Sequence, residues 1–299
     1  MKRKAESGTR YRKQRSISPG PRAAAAALGV APSKGRGQNF LVQASVASKI
    51  VAGARLEADD EVVEIGPGLG ILTEHILKYP VGRLRLIEIE DALAENLRKR
   101  LSSDTRASVI VSDFLELDFA SAIERPPVKV LGNLPFNSAA AILRRLDAER
   151  ALISRMVLMF QREVAERIRA QPGDEAYGAL SVFTALYWRI ASHFRVEAGN
   201  FQPRPKVDAE VLIFEPRAAW FDAALEPSIL RAIKAAFSTR RKTLRNALTF
   251  ALGGDRQDAE LMLEQSAIPM TRRAEELAVE DFVRLGQALY ALERSKSDA

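Results

Sequence analysis

Short apolar runs alternate with amphipathic segments along the first half of the chain. EVVEI (61–65), RLRLIEI (83–89) and ASVIV (107–111) have the length of buried strands. Between them, LTEHILK (72–78) and DALAENLRKRL (91–101) place apolar residues at helical spacing. Strands that alternate with helices of about ten residues are typical of βαβ units. The pattern therefore predicts an α/β fold, with a parallel sheet and helices on both faces.

The same alternation continues to residue 170. VKVLGNLPF (128–136) and SRMVLMF (154–160) are predicted strands, and AAAILRRL (139–146) and QREVAERIRA (161–170) are predicted helices. A further helix is expected over residues 43–54, ahead of the first strand. The first 170 residues thus supply most of the expected sheet.

The pattern changes after the turn-rich stretch QPGDEAYG (171–178). WRIASHFRV (188–196) and DAEVLIFEP (208–216) are joined without a long helix, which predicts an antiparallel hairpin at the edge of the sheet. Only helical segments follow, for example PSILRAIKAAF (227–237). We therefore expect a sheet domain over residues 37–216 and a small helical domain over residues 217–299.

The net charge of +7 is concentrated at the start of the chain. Residues 1–37 hold ten Lys or Arg against one acid, Glu6, a net charge of +9, so the rest of the chain carries −2. A block of like charge with Gly, Pro and Ser predicts that residues 1–36 form a disordered basic arm. Such an arm either follows the phosphates of a nucleic acid or is simply solvated.

The composition excludes several kinds of site. The chain has no Cys and only two His, His75 and His193, so disulfides, a thiol nucleophile and zinc clusters are not expected, and we expect no metal. No apolar run approaches the roughly 20 residues of a membrane span. A cytoplasmic location is expected; the mitochondrial matrix is the alternative, because the Arg- and Ser-rich start is compatible with a transit peptide.

A glycine-rich turn, VEIGPGLG (63–70), follows the first of the alternating strands. It departs from the dinucleotide fingerprint, because Ile71 stands where that pattern requires Gly. Glu64, two residues before the turn, is an unfavourable neighbour for a pyrophosphate but suits a cationic ligand such as S-adenosylmethionine. Gly66 and Gly68 would allow the backbone to approach that ligand closely.

Acids stand at the ends of the next two predicted strands. IEIE ends in Glu88 and Glu90, and Asp113 follows ASVIV. A carboxylate at the first position can accept ribose hydroxyls, and one at the second can accept an adenine amine. Strand alternation puts Glu88 and Glu90 on one face, so the spacing does not choose between them. Acids at successive strand ends favour a nucleoside-containing ligand at the carboxyl edge of the sheet.

The fourth strand of this series ends in GNLPFNS (132–138). The exocyclic amine of adenine is a poor nucleophile, because its lone pair is delocalised into the ring. The Asn133 side-chain oxygen and the Leu134 carbonyl offer two acceptors for such an amine, and Phe136 offers a stacking face. Pro135 stiffens the turn. These residues would suit the methylation of adenine.

Nine stretches, taken together, resemble the ribosomal RNA adenine dimethyltransferase family of the KsgA type over about residues 37–290. In chain order they are GQNFL (37–41), VEIGPGLG (63–70), IE (87–88), SDF (112–114), GNLPFNS (132–138), QREVAERI (161–168), YGALSV (177–182), FQPRPKVDA (201–209) and RRKTLRNAL (240–248). The resemblance implies a Rossmann-like methyltransferase sheet with a small helical C-terminal domain. It also implies S-adenosylmethionine as the cofactor and small-subunit ribosomal RNA as the substrate.

The resemblance assigns roles to individual residues. It favours Glu88 over Glu90 for the ribose, and it puts Asn133 at the point of methyl transfer. The implied cofactor-binding residues are Asn39, Leu41, Gly66, Glu88, Asp113 and Asn133. The implied catalytic residues are Asn133, Leu134 and Phe136, where the family usually has Tyr at the last position. The implied substrate-binding residues are Phe136, Phe201, Arg240, Arg241, Lys242 and Arg245.

The implied reaction dimethylates two adjacent adenosines in the loop of the 3′-terminal helix of small-subunit ribosomal RNA. The expected partner is a precursor of the small ribosomal subunit, with no membrane involved, and we expect a monomer. One alternative is the related large-subunit methyltransferase that confers macrolide resistance, although RRKTLRNAL favours the small-subunit enzyme. Another is a mitochondrial transcription or assembly factor that uses the same fold without turnover.

Overall fold

The computed structural model describes residues 26, 39–218, 220–239, 242–253 and 255–297. Apart from residue 26, the predicted basic arm lies outside these ranges. The strands are β1 (Phe40–Leu41), β2 (Glu61–Ile65), β3 (Arg83–Glu88), β4 (Ala107–Val111), β5 (Val128–Asn133), β6 (Ile153–Gln161), β7 (Trp188–Val196), β8 (Phe201–Gln202) and β9 (Ala209–Pro216).

The helices are α1 (Ala44–Gly53), α2 (Ile71–Ile76), α3 (Asp91–Arg100), α4 (Phe119–Ala122), α5 (Ala139–Ala148), α6 (Arg162–Arg169), α7 (Ala179–Tyr187), α8 (Glu226–Ala236), α9 (Leu244–Ala251), α10 (Arg256–Gln265) and α11 (Val279–Ser297). The structure contains the helices that the sequence predicts between the strands, and two that it does not predict, α4 and α7. None of the helices described here is long and apolar enough to cross a membrane.

Seven strands form one mixed sheet in the order β4-β3-β2-β5-β6-β9-β7. The first five are parallel, and β9 and β7 are antiparallel to their neighbours. This confirms the predicted α/β fold and the antiparallel pair of strands at one edge. Because β2 lies between β3 and β5, the order reverses beside β2, and a crevice forms there at the carboxyl ends of the strands.

Two hydrophobic clusters cover the two faces of the sheet, because successive strand residues point to opposite sides. Val62 and Val157 belong to the cluster that also contains residues of α1, α2 and α3. Their neighbours Val63 and Met156 belong to the other cluster, with residues of α5 and α7. Helices therefore lie on both faces, as predicted.

The C-terminal helices share the second of these clusters. Ile229 of α8, Leu248 of α9 and Phe282 of α11 are fully buried members of it, together with Phe160 and Phe214 of the sheet. Among the described residues after Pro216 there is no strand, and α8 packs along α11. The division at residue 217 remains a prediction, because one continuous core spans it.

Gly286 sets how closely α11 approaches α8. A Cβ at this position would lie 2.4 Å from Ile229 Cγ1 and 2.5 Å from Ile229 Cα, so relief requires movement of the main chain. We expect Gly286→Ala to destabilise the protein by about 2 kcal/mol, because overpacking of this kind outweighs the better helix propensity of Ala. Urea denaturation measures the change.

Gly53→Ala provides the matched control for this substitution. It also adds a methyl group to a buried helical glycine, but the new group would meet only the side chains of His193 and Ile213, at 3.1 Å or more. Its free energy of unfolding should stay within about 1 kcal/mol of the wild-type value. Equal stability of both variants would show that the α8–α11 contact is not close-packed.

Candidate active site

A cavity of about 380 Å³ opens at the carboxyl ends of β2, β3, β4 and β5, in the crevice where the strand order reverses. Its wall contains all eight residues to which the resemblance assigned cofactor-binding or catalytic roles. These are Asn39, Leu41, Gly66, Glu88, Asp113, Asn133, Leu134 and Phe136. The structure thus brings together all the predicted cofactor residues and the Asn-Leu-Pro-Phe turn.

The glycine turn between β2 and α2 bends sharply beneath this cavity. Gly66 has φ +67° and Gly68 has φ +55°, in the left-handed region that favours glycine. A Cβ at Gly66 would meet no atom within 4 Å, whereas one at Gly68 would lie 3.1 Å from the ring of Phe40. The turn therefore exposes its backbone at Gly66 and supports β1 at Gly68.

Glu64 is a buried acid in the cavity wall, with 1% of its surface exposed. Thr73 Oγ1 donates a hydrogen bond to its Oε2 at 2.7 Å, but among the described residues its buried Oε1 has no hydrogen-bond partner. Burial, reinforced by the nearby Glu88 carboxylate, raises the pKa of Glu64 to about 8. A buried acceptor without a partner is costly, and a cationic donor in the cavity would satisfy it.

Glu88 ends β3 and is held by the backbone. The Gly68 N–H donates to its Oε2 at 2.9 Å, and the Glu90 N–H donates to its Oε1 at 3.0 Å. Burial raises its pKa above the ordinary value. Glu88 lines the cavity, whereas Glu90 precedes α3 and is not part of the wall. Position thus separates the two acids that strand alternation left equivalent.

Asp113 lies one strand further along the same edge. Its Oδ1 accepts the Leu115 N–H at 2.9 Å, which orients the carboxylate at the start of a turn. Glu64 lies near the end of β2, Glu88 ends β3 and Asp113 follows β4. Because neighbouring strands lie about 4.8 Å apart, these acids spread over about 10 Å. This row suits an elongated ligand with a cation at one end and several polar groups along its length.

Two exposed apolar residues of the wall were not identified from the sequence. Ile89 and Leu115 line the cavity although 44% and 37% of their surfaces are exposed. Each follows a strand-end acid by one or two positions, so they offer apolar surfaces beside Glu88 and Asp113. The sequence signal that could have identified them is an apolar residue one or two positions after a strand-end acid. Such a side chain can pack against the face of an aromatic ring.

β1 closes one side of the cavity. It pairs with β8, with Leu41 opposite Phe201, and the Val42 N–H donates to the Asn200 carbonyl at 2.9 Å. Asn133 Nδ2 donates to the Asn39 carbonyl at 3.0 Å. Because Nδ2 makes this bond, the orientation of the Asn133 amide is fixed, and its other side carries the acceptor Oδ1.

The turn after Asn133 is compact. The Ser138 N–H donates to the Pro135 carbonyl at 3.1 Å, and the Leu134 side chain is buried in the core. The Phe136 ring meets the Phe201 ring edge-on, with centroids 6.5 Å apart. Phe201 is only 3% exposed and is not part of the cavity wall. The structure therefore places Phe201 behind Phe136, as its support.

The described members of the predicted basic cluster, Lys242 and Arg245, are not part of this cavity. Arg240 and Arg241 lie outside the described residues. Lys242 lines a separate cavity of about 710 Å³ together with Glu163, Glu166, Glu175 and Glu275. Arg245 forms an ion pair with Glu260 at 3.6 Å. In the described ranges, no group of three or more His, Cys, Asp or Glu is placed to hold a metal ion.

Comparison with solved structures supports the fold. A dimethyladenosine transferase from Plasmodium falciparum has a TM-score of 0.70 and 23% identity, over 86% of this chain and 98% of that one. The 23S rRNA methyltransferase ErmE has a TM-score of 0.65 and 24% identity, over 84% of this chain and 100% of that one. At these identities the likeness shows a shared Rossmann-like methyltransferase fold.

Sequence comparison identifies the family. Residues 33–290 match the family model described as ribosomal RNA adenine dimethylase. The proteins named ribosomal RNA small subunit methyltransferase A of Syntrophotalea carbinolica and Geobacter sulfurreducens are 42% and 39% identical to this chain. The alignments cover 86% and 88% of this chain and 97% of each relative. The chain therefore belongs to the ribosomal RNA adenine dimethylase family, as its sequence motifs indicate.

Proposed function

We propose that this protein dimethylates the exocyclic amines of two adjacent adenosines in the 3′-terminal helix loop of small-subunit ribosomal RNA, with S-adenosylmethionine as methyl donor. The observation that carries the proposal is a single cavity with two kinds of wall. One wall is the row of acids that ends at Asp113, and the other is the turn of Asn133, Leu134 and Phe136.

The residues of the first wall fit S-adenosylmethionine. When bound, this cofactor supplies an electrophilic methyl group on a sulfonium centre. Glu64 has a buried oxygen that no other described residue hydrogen-bonds, which suits the cationic amino-acid end, and Gly66 offers open backbone there. Glu88 would accept the ribose hydroxyls, and Asp113 would accept the adenine amine. Ile89 and Leu115 would cover the faces of the adenine ring.

The second wall would hold the target adenine. Asn133 Oδ1 and the Leu134 carbonyl would each accept one hydrogen of the amine, which favours its pyramidal form and directs the nitrogen lone pair toward the methyl group. The Asn39 carbonyl fixes the amide orientation that makes this possible. No strong base is required, since the amine becomes acidic only after transfer, and its proton then passes to water.

Methyl incorporation into isolated small ribosomal subunits that lack the modification tests the proposal. The expected result is four methyl groups per subunit, mapped by primer extension to two adjacent adenosines. Incorporation only into large subunits would favour the macrolide-resistance type of activity. Tight RNA binding without incorporation into either subunit would favour an assembly factor, and both results would overturn the proposed reaction.

The Phe136 ring should contribute to binding of the target base by stacking alone. Phe136→Ala is expected to lower kcat/KM for the ribosomal subunit by about 10- to 100-fold, because stacking on an aromatic side chain contributes about 1–3 kcal/mol per base. Phe136→Tyr keeps the stacking face and provides the control, with activity at or above the wild-type level. Undiminished kcat/KM of the alanine variant would remove the base-stacking role.

A further inference from the structure

A short basic loop, PRPKV (203–207), lies beside the mouth of the cavity and is anchored at both ends. On one side, Gln202 of β8 pairs with Phe40 of β1. On the other side, Asp208 Oδ1 accepts the Ala198 N–H and the Asp208 carbonyl accepts the Arg162 N–H, both at 2.9 Å. The two prolines restrict the backbone in between. The loop is therefore a fixed element of the rim.

The loop presents two cations to solvent. Arg204 and Lys206 are both exposed, and among the described residues neither has a carboxylate within the 4.0 Å of an ion pair. Arg162, whose backbone contacts Asp208 at the end of the loop, is compensated by contrast, since it forms an ion pair with Glu166 at 2.8 Å. The charge of the loop is thus available to an anionic partner.

The loop lies close in the chain to the proposed binding site for the target base. Phe201 supports the Phe136 ring, and Arg204 follows Phe201 by three residues. Since an extended residue spans at most about 3.6 Å, the two Cα atoms lie within about 11 Å. Arg204 therefore lies close to the wall that would receive the adenine. Lys206 follows it by two residues in the loop after β8, whose Gln202 pairs with Phe40 of the cavity wall.

We propose that Arg204 and Lys206 bind the phosphates of the RNA strand that flank the target adenosine. The proposal rests on the function proposed above. A base that enters the cavity must leave its stack, and its sugar-phosphate backbone must rotate outward with it. Two cations on a rigid loop would hold that backbone at the rim, since phosphate contacts fix register and orientation while the cavity reads the base.

The double variant Arg204→Ala/Lys206→Ala tests this role. The probe is the unmethylated small ribosomal subunit, with its binding measured at several salt concentrations and its steady-state kinetics at one. We expect the slope of log K against log salt to flatten by between about 1 and 2, as for the loss of two phosphate contacts. KM should rise about tenfold, with kcat changed less than about twofold, because phosphate contacts set affinity and register.

Lys78→Ala/Arg189→Ala is the matched control. It removes one Lys and one Arg that are also exposed, but these lie at the opposite end of the sheet: Lys78 follows α2, and Arg189 pairs with Glu215 near the end of β9. Both double variants lose the same net charge, so a difference between them reflects the position of the charges. Its salt slope and KM should match those of the wild type.

Four outcomes of these measurements are informative. A double variant that matches the control in salt slope and KM would overturn the phosphate role, as would a loss of S-adenosylmethionine affinity, measured by calorimetry, with an unchanged salt slope. A flattened slope with intact cofactor affinity supports it. Failure of the wild-type protein itself to bind and methylate the subunit would instead refute the function on which the inference rests.

Discussion

Asn133→Ala is expected to lower kcat for methyl transfer by about 100- to 1000-fold, the loss typical of removing one preorganised polar group at a reacting centre. The variant lacks the Oδ1 acceptor for the amine, while the Leu134 carbonyl, Phe136 and the acids of the cavity remain. Single-turnover methylation of small subunits measures the chemical step directly.

The same substitution also removes the hydrogen bond from Asn133 Nδ2 to the Asn39 carbonyl. One such bond contributes about 0.5–1.5 kcal/mol, so S-adenosylmethionine affinity should fall only about 2- to 10-fold. The large effect on kcat and the small effect on affinity would therefore separate the two functions of one amide. Calorimetric titration with the cofactor provides the second measurement.

Asn96→Ala, on the partly exposed surface of α3, is the control for loss of an asparagine side chain. It should leave kcat and cofactor affinity unchanged, and urea denaturation should show both variants to be folded. Wild-type turnover in a folded Asn133→Ala protein would contradict the assignment of this amide to the reacting centre.

Glu64→Gln is expected to weaken S-adenosylmethionine binding by roughly 100-fold, since removing one partner of a buried charge pair costs about 2–5 kcal/mol. Gln keeps an oxygen for Thr73 but places an NH₂ group where the present Oε1 has no partner. That group would oppose a cationic donor. Cofactor affinity equal to that of the wild type would remove Glu64 from the binding site.

The same variant should respond differently to pH. The pKa of Glu64 is raised to about 8 by burial and by Glu88, whereas the unfolded chain ionises near the ordinary 4.5. Between these values the native state binds more protons than the unfolded state, so the free energy of unfolding falls as pH rises. Glu64→Gln has no such proton to lose, so its free energy of unfolding relative to that of the wild type should increase from pH 5 to pH 8.

Cofactor binding provides a third readout of this group. A cation beside Glu64 favours the carboxylate, so wild-type binding should release a proton, and affinity should rise with pH between about 5 and 8. Calorimetry in two buffers of different ionisation enthalpy detects the released proton. Glu64→Gln should release none from this group, and Asp113→Asn serves as a control that leaves Glu64 intact. Equal proton release from wild type and Glu64→Gln would contradict the ionisation of this acid on binding.

Local patterns were sufficient for the central sheet. The strands β2 to β6 are short apolar runs bounded by turns, and parallel strands bring their carboxyl ends to one edge. Glu88, Asp113 and Asn133 could therefore be placed together before the fold was known. The choice of Glu88 over Glu90 came from the family resemblance, because both share one strand parity.

Elements defined by distant contacts could not be found in this way. α7, ALSVFTALY, is apolar on most sides because it is buried, so it lacks the one-sided pattern of a surface helix. β1 and β8 have two residues each and pair across about 160 positions, too short for any period to show. The environment of Glu64 likewise depends on α2. Thr73 of that helix donates to Oε2, and no described residue donates to Oε1.

The bond between Asn133 and Asn39 links the residue before strand β1 to the amide that we propose at the reacting centre. A ligand that stabilises β1 can therefore strengthen the binding of adenine. By thermodynamic reciprocity, adenine strengthens the binding of that ligand by the same factor. One hydrogen bond limits that factor to about tenfold. For the proposed reaction, which needs two transfers to each base, we expect so modest a coupling to let the used cofactor exchange while the RNA stays bound, so that both methyl groups are added in one encounter.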